Sequence, residues 1–108
     1  MTSDISGAKV SKGVYEPFKN NGLFYIPLKG PHAGKAHLIA TTPIDAEFTG
    51  PTFSPDGSTL FLSVQHPGEL TKDPKNPTSR WPNGTLPQPT VVAITGGFLK
   101  SPSTKQKI

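Results

Sequence analysis

Proline is spread along almost the whole chain, and this limits the available folds more than any other feature of the sequence. The 108 residues include 13 Pro and 11 Gly, so 24 residues favour turns or break helices. Few windows of a dozen residues lack a proline. In a helix interior, proline removes a hydrogen bond and clashes with the preceding turn. The sequence therefore argues against a helical bundle and favours short strands joined by turns.

The composition excludes several classes of protein. Hydrophobic residues make up 32% of the chain, below the roughly 45–50% (Gly included) that is usual for globular domains. No apolar run approaches the ~20 residues of a membrane span, so we expect no membrane partner. The absence of cysteine excludes disulfides, thiolate metal sites and a thiol nucleophile. At most one domain with a thin core is expected.

The net charge of +4 is concentrated at the C-terminal end, where the last nine residues include Lys100, Lys105 and Lys107. We predict that residues 96–108 form a disordered, basic tail. Nucleic-acid binding would need basic residues interleaved with aromatic ones on one face, whereas the aromatic residues here lie in apolar runs away from the lysines. We therefore expect no nucleic-acid partner, and a small polyanion-binding protein would rest on net charge alone.

The order of turn signals and apolar runs predicts an all-β chain. Residues 1–20 form an irregular lead-in, and Asn21-Gly22 is typical of a turn. Residues 21–95 contain four to five short antiparallel strands, with a long polar loop at residues 68–89. The strands are expected at Leu23–Ile26, Ala36–Ala40, a segment ending at Phe53, Leu60–Val64 and Thr90–Ile94.

The segment Leu60–Val64 is apolar on both faces of a strand. Alternation places Leu60, Leu62 and Val64 on one side and Phe61 on the other. Both sides must then be covered, as in one blade of a β-propeller between its neighbours. The chain contains no second copy of such a unit, and repeat units need several copies for stability. The pattern therefore predicts one blade plus long loops, as a fragment of a larger propeller.

The segment Pro55-Asp56-Gly57 predicts a turn between two strands. Pro55 presets its own φ, Asp56 hydrogen-bonds to nearby backbone, and Gly57 adopts a positive φ. Although Asp56 could serve as a ligand, this structural role is sufficient to explain it.

The run EFTGPTFSPDGSTLFLSVQHPGE, from Glu47 to Glu69, resembles the C-terminal part of the PhoX-type alkaline phosphatases, which are β-propellers. The matching elements are Glu47, Thr49-Gly50-Pro51, Phe53, Pro55-Asp56-Gly57, Thr59-Leu60-Phe61 and Gln65-His66-Pro67-Gly68-Glu69. The resemblance continues in Ser79–Gly84 and Pro87–Ile94, and it covers about residues 22–94.

This resemblance implies a full enzyme that hydrolyses phosphate monoesters with calcium and iron held near the propeller axis. It also implies a periplasmic or secreted protein, although MTSDISGAKVSKG lacks the apolar core of an export signal. Compared with the family, this sequence is expected to cover only the last part of the propeller, without the earlier blades and most of the metal ligands. Its expected partners are therefore the remaining blades, in the same or a separate chain, and a phosphate-ester substrate. We expect it to be inactive alone, and no catalytic residue is assigned.

Glu47 is the candidate metal ligand, because Ca²⁺ and iron both accept carboxylate oxygens. His66 could bind a metal or move protons near neutral pH, or it could fix a turn through hydrogen bonds. Glu69 offers the same alternatives. Arg80 could grip a phosphate in bidentate fashion, and Trp81 beside it is expected to anchor the long loop on a neighbouring blade.

Three further residues of interest have simpler interpretations. His32 and His37 lie five residues apart around a glycine loop with no third ligand nearby, so we interpret both as structural or exposed. Asn83-Gly84-Thr85 fits a glycosylation sequon, but so short a pattern arises often by chance.

Two functions of different classes remain open from the sequence. The chain could be the terminal part of a metal-dependent phosphatase, supplying packing surface and at most one ligand. Alternatively it could be a non-enzymatic blade, an interaction module whose free strand edges complete the sheet of a partner.

Overall fold

The computed structural model describes residues 1–10 and 12–100. The described strands are β1 Gly22–Tyr25, β2 His37–Thr41, β3 Glu47–Phe53, β4 Leu60–Gln65 and β5 Thr90–Ile94. Short 3-10 turns lie at Gly13–Tyr15 and Gly97–Lys100. Every strand pair is antiparallel, so the predicted all-β antiparallel class is confirmed. Within the described ranges, no helix has the length and apolar character needed to cross a membrane.

The five strands are divided between two sheets, with β1 and β2 in one and the order β3-β4-β5 in the other. The side chain of Asn21, which is only 1% exposed, lies where the sheets meet. Its Nδ2 donates to the carbonyl oxygens of Ile5 and Ala46 at 2.7 and 2.9 Å. Its Oδ1 accepts from the backbone N–H of Ile5 at 2.9 Å and the hydroxyl of Ser3 at 3.0 Å. The Asn21 side chain therefore links the first sheet to the start of the second. In a single continuous sheet, backbone hydrogen bonds between strands would make this link.

This use of Asn21 corrects the turn predicted at Asn21-Gly22. Gly22 is already the first residue of β1, where it pairs with Thr41. The backbone N–H of Thr42 donates to the carbonyl oxygen of Asn21 at 2.9 Å and extends the ladder by one residue. The short polar side chain is buried and fully engaged rather than placed at a turn.

The hairpin of β3 and β4 contains a bulge and the predicted turn. The register shifts between Thr49 and Thr52, and Gly50 has a φ of 61° there. Because the bulge interrupts the ladder of hydrogen bonds, Pro51 can lie within the strand although it has no N–H to donate. Strand β3 begins at Glu47 and runs through Gly50-Pro51. In the turn after Phe53, Oδ1 of Asp56 accepts from the Ser54 hydroxyl at 2.7 Å and from the Ser58 backbone N–H at 3.0 Å. Gly57 has a φ of 72°.

The two faces of β4 differ in how they are covered. Leu60, Leu62 and Val64 are buried in the core with Leu23, Ala46, Phe48 and Leu99. Phe61, on the opposite face, is 41% exposed, and Val91 on β5 is 66% exposed. The chain itself thus covers the face of β4 that carries Leu60, Leu62 and Val64. The face carrying Phe61 remains largely open to solvent among the described residues.

The ordered chain extends past Gly96, where the basic tail was predicted to begin. Leu99 in the last 3-10 turn is 0% exposed and packs in the core. Residues 101–108 of the predicted tail lie outside the described residues. Trp81 also packs against this core. Trp81 thus anchors the long loop on the chain itself, and its contact with a neighbouring blade stays a prediction.

Candidate functional site

The start of β3 and the end of β4 bring together three of the residues singled out in the sequence. Glu47 opens β3 and pairs with Gln65, the last residue of β4, so His66 follows directly beside it. Nε2 of His66 lies 3.3 Å from Oε2 of Glu47. Nδ1 of His66 lies 3.4 Å from Oε2 of Glu69. The histidine thus stands between two carboxylates.

The turn after β4 is what returns Glu69 to His66. His66 has a φ of 38° and Gly68 a φ of 71°. The N–H of Glu69 donates to the carbonyl oxygen of His66 at 3.1 Å, and the N–H of Gly68 donates to that of Ile44 at 3.0 Å. A Cβ at Gly68 would lie 2.7 Å from a side-chain carbon of Pro87, so close packing and positive φ both require glycine here. The segment QHPGE is therefore a tight turn that fixes the site.

The N-terminal lead-in supplies a fourth group. The carboxyl group of Asp4 lies close enough to that of Glu47 to shift its pKa, and the N–H of Gly7 donates to Oε2 of Glu69 at 3.4 Å. We call Asp4, Glu47, His66 and Glu69 the carboxylate–histidine cluster. Sequence reasoning missed Asp4, because it lies 43 positions before Glu47 in a segment without periodicity.

The electrostatics of the cluster follow from its crowding. Burial raises the pKa of Glu47, and the hydrogen bond and negative charge of Asp4 raise it further, against a smaller opposite effect of His66. Partial burial alone would lower the pKa of His66. The charges of Glu69 and Glu47 outweigh that effect and raise the His66 pKa. The cluster therefore favours a protonated histidine beside a carboxyl group that holds its proton more tightly than usual.

Asp45 connects this region to the long loop and was also missed. It is buried, with a φ of 68°. Its Oδ2 accepts from the N–H of Leu70 at 3.2 Å and from the hydroxyl of Thr78 at 2.5 Å. In the sequence, Asp45 stands out only because it lies two residues before Glu47. That position does not predict its hydrogen bonds with Leu70 and Thr78, which lie 25 and 33 residues further along the chain.

The other candidate residues lie outside the carboxylate–histidine cluster. The guanidinium of Arg80 donates to the carbonyl oxygen of Lys75 at 3.3 Å, which is a contact within the long loop. Asp56 is engaged in its turn, and three hydrogen bonds from Ser54 and Ser58 lower its pKa to about 2. His32 and His37 are exposed beside the hairpin of β1 and β2.

The donor chemistry of the cluster suits a hard cation or iron only in part. Carboxylate oxygens are the preferred ligands of Ca²⁺, and iron accepts both carboxylate and imidazole. However, no group of three or more His, Asp or Glu residues in the described part of the chain is arranged to hold a metal ion. The residues therefore fit a contribution to a metal site, with Glu47 the most buried donor, and do not form a complete cage.

The fold and the cluster place the chain among antiparallel β proteins, and the comparison with known families identifies its family. The sequence profile of the family described as alkaline phosphatase PhoX matches residues 2–68. This match covers 67 of the 108 residues. The chain belongs to the PhoX alkaline phosphatase family, a family of metal-dependent phosphatases. No curated protein and no solved structure gives a significant match.

Proposed function

We propose that the chain is the C-terminal segment of a PhoX-type phosphomonoesterase, in which it supplies packing surface and one metal ligand, Glu47. The observation that carries this proposal is the position of Glu47 at the start of β3, where its side chain is 10% exposed and lies against a second carboxyl group, Asp4. The family match supports the phosphatase relationship. The resemblance favours calcium and iron as the metals.

The proximity of Asp4 and Glu47 is the main support for a ligand role. Two carboxyl groups in contact cannot both ionise without cost. A cation bound beside them would relieve that repulsion and favour the charged form of Glu47. When bound, such metals polarise a phosphoryl oxygen and activate water for attack on the ester. In this chain, His66 would hold the Glu47 carboxylate in place from its other side through the 3.3 Å contact.

The uncovered face of the β3-β4-β5 sheet supports the packing role. Phe61, Val91 and Ala93 are exposed there. In a propeller each blade is covered by its neighbours. The remaining blades, in the same or a separate chain, are therefore the proposed partners, and the substrate is a phosphate monoester. The family resemblance also leads us to propose a periplasmic or secreted location, which cell fractionation would test.

The first experiment is a phosphatase assay on the chain alone. With p-nitrophenyl phosphate, Ca²⁺ and iron, we expect no turnover above background, because one carboxylate cannot hold a catalytic metal group. Turnover at rates typical of enzymes, about 1 s⁻¹ or more, would overturn the proposed fragment role.

The second experiment tests Glu47 in the protein assembled with its remaining blades. Glu47→Gln is expected to lower phosphatase turnover by about 100-fold or more and to reduce bound metal, since even groups that only support a ligand cost 10–100-fold when removed. Glu16→Gln is the matched control, because Glu16 is exposed beside the first 3-10 turn. Unchanged turnover and metal content in Glu47→Gln would contradict the ligand assignment.

A second candidate function is an interaction module that completes a partner's sheet without catalysis. The exposed apolar residues favour it, as do the outer edges of β3 and β5, which pair with no other strand among the described residues. Under this function, Glu47→Gln would leave the phosphatase activity of an assembled complex unchanged. A stable monomer with well-dispersed amide signals would count against it.

A further inference from the structure

Two histidines outside the carboxylate–histidine cluster lie side by side at the loop between β1 and β2. The ring centroids of His32 and His37 are 5.8 Å apart, and their planes are inclined at 85°. Both residues are exposed. We propose that this pair binds a divalent transition-metal ion such as Zn²⁺, Ni²⁺ or Cu²⁺, with one imidazole nitrogen from each ring.

The backbone that carries the two rings is held on opposite sides of the hairpin loop. His37 is the first residue of β2 and pairs with Tyr25 in the ladder, and the rings of these two residues are 6.3 Å apart. His32 lies in a loop closed by hydrogen bonds from Gly34 N–H to the carbonyl oxygen of Pro27 at 2.8 Å and from Lys35 N–H to that of His32 at 3.1 Å. The two histidines are therefore carried by backbone that hydrogen bonds hold in place.

This separation suits two ligands on one ion. A nitrogen of a metal-bound imidazole lies about 2.0–2.1 Å from Zn²⁺, which places two rings on the same ion with centres roughly 5–6 Å apart. Imidazole is a preferred ligand of zinc, copper and nickel, whereas Ca²⁺ takes oxygen ligands. Two imidazole ligands therefore favour a transition metal such as zinc, whereas the carboxylates around Glu47 favour Ca²⁺ or iron.

The surroundings leave room for such an ion and its waters. An open cavity of about 360 Å³ beside the pair is lined by Tyr25, Pro27, Lys29, Pro31, His32 and His37. Since the described residues offer no metal-binding group of three His, Asp or Glu, water would complete the coordination. The positive charge of Lys29 opposes binding. We therefore expect a bidentate site of modest affinity.

This site is separate from the carboxylate–histidine cluster. His37 begins β2, whereas Thr41 ends it and leads within six residues to Glu47. The length of β2 alone separates its two ends by roughly 13 Å. The pair lies on the hairpin of β1 and β2, whereas the cluster is built at the open end of the hairpin of β3 and β4.

The test is a titration of the full chain with ZnCl₂, followed by the imidazole C–H signals in NMR and by calorimetry. We expect the signals of His32 and His37 to move together while those of His66 stay unchanged, and CaCl₂ to move neither member of the pair. His32→Gln and His37→Gln should each weaken zinc binding by roughly tenfold or more, because the second imidazole binds intramolecularly. Lys72→Gln, at an exposed position of the long loop, is the control and should retain the wild-type affinity.

Three results would overturn the proposal: zinc binding unchanged in both single variants, loss of binding in only one of them, or zinc shifts centred on His66. The amide spectrum of each variant is recorded first. Because both side chains are exposed, each variant is expected to fold, and if His37→Gln disturbs β2, the comparison of His32→Gln with wild type decides the matter.

Discussion

The side chain of Asn21 makes four hydrogen bonds to three residues that are distant in the chain, Ser3, Ile5 and Ala46, and its loss affects all of them at once. Asn21→Ala would leave the carbonyl oxygens of Ile5 and Ala46 without their side-chain donor. Each buried polar group left unsatisfied costs about 1–3 kcal/mol. We therefore expect the free energy of unfolding to fall by about 2–4 kcal/mol, measured by urea denaturation. Asn83→Ala, at an exposed loop position, is the control and should change it by less than about 0.5 kcal/mol.

Asp56 makes the stability of the hairpin depend on acid. Its pKa is lowered to about 2 by hydrogen bonds from Ser58 and Ser54, below the ordinary value of 3.8. Because the folded state favours the ionised form, the stabilisation is complete above pH 4 and is lost as the pH falls toward 2. Asp56→Asn should therefore melt below the wild type at pH 6 and approach it at pH 2. A difference in melting temperature that stays constant over this range would contradict this role.

The sequence predicted part of the site at the level of single residues. Glu69 lies three positions after His66, and the register of β3 and β4 places Glu47 beside His66. The QHPGE motif and the predicted hairpin were therefore enough to single out these three residues. Asp4 and Asp45 could not be found in the same way. Their contacts depend on how the irregular lead-in and the long loop pack, and neither segment has a periodic pattern that fixes its path.

Among the elements, β4 provides the sharpest contrast between a buried and an exposed apolar position. Leu62 is 1% exposed and lies within the core. Leu62→Ala is expected to lower the free energy of unfolding by about 2–5 kcal/mol, through lost burial and the cavity left behind. Val91→Ala, at the exposed position paired with Ser63, should cost less than about 0.5 kcal/mol. Equal effects in thermal or chemical unfolding would contradict the two-faced description of this sheet.

The strands were predictable because apolar and β-branched runs mark them locally, and Thr90–Ile94 is reproduced with the same bounds. Their division into two sheets was not predictable. It depends on the long-range hydrogen bonds of Asn21 with Ile5 and Ala46, which no short window of sequence encodes. The same holds for Leu99, whose burial depends on the core formed by strands far from it in the chain.

At the scale of the whole molecule, we expect the open face of the three-stranded sheet to control association. Phe61 and Val91 are large apolar residues exposed there. An apolar sheet face favours contact with another protein surface, as does the edge of β5, which pairs with no further strand in the described part of the chain. We expect the wild-type chain, studied alone, to sediment with a mass above its 11.5 kDa. The double variant Phe61→Thr with Val91→Thr should sediment as a single chain with unchanged circular dichroism. Identical sedimentation of the two proteins would remove this face from the association.

The close approach of Gly68 and Pro87 brings the two ends of the long loop together. Within it, the N–H of Gly84 donates to the carbonyl oxygen of Arg80 at 2.7 Å, and Asn83 and Gly84 are exposed. Because the two ends of this loop are already held together, lengthening its tip should strain the sheets little. The entropic cost of closing a loop also grows only slowly with its length. A short epitope or a fluorophore-acceptor peptide inserted between Asn83 and Gly84 would therefore report on this protein in cells while leaving both sheets as they are.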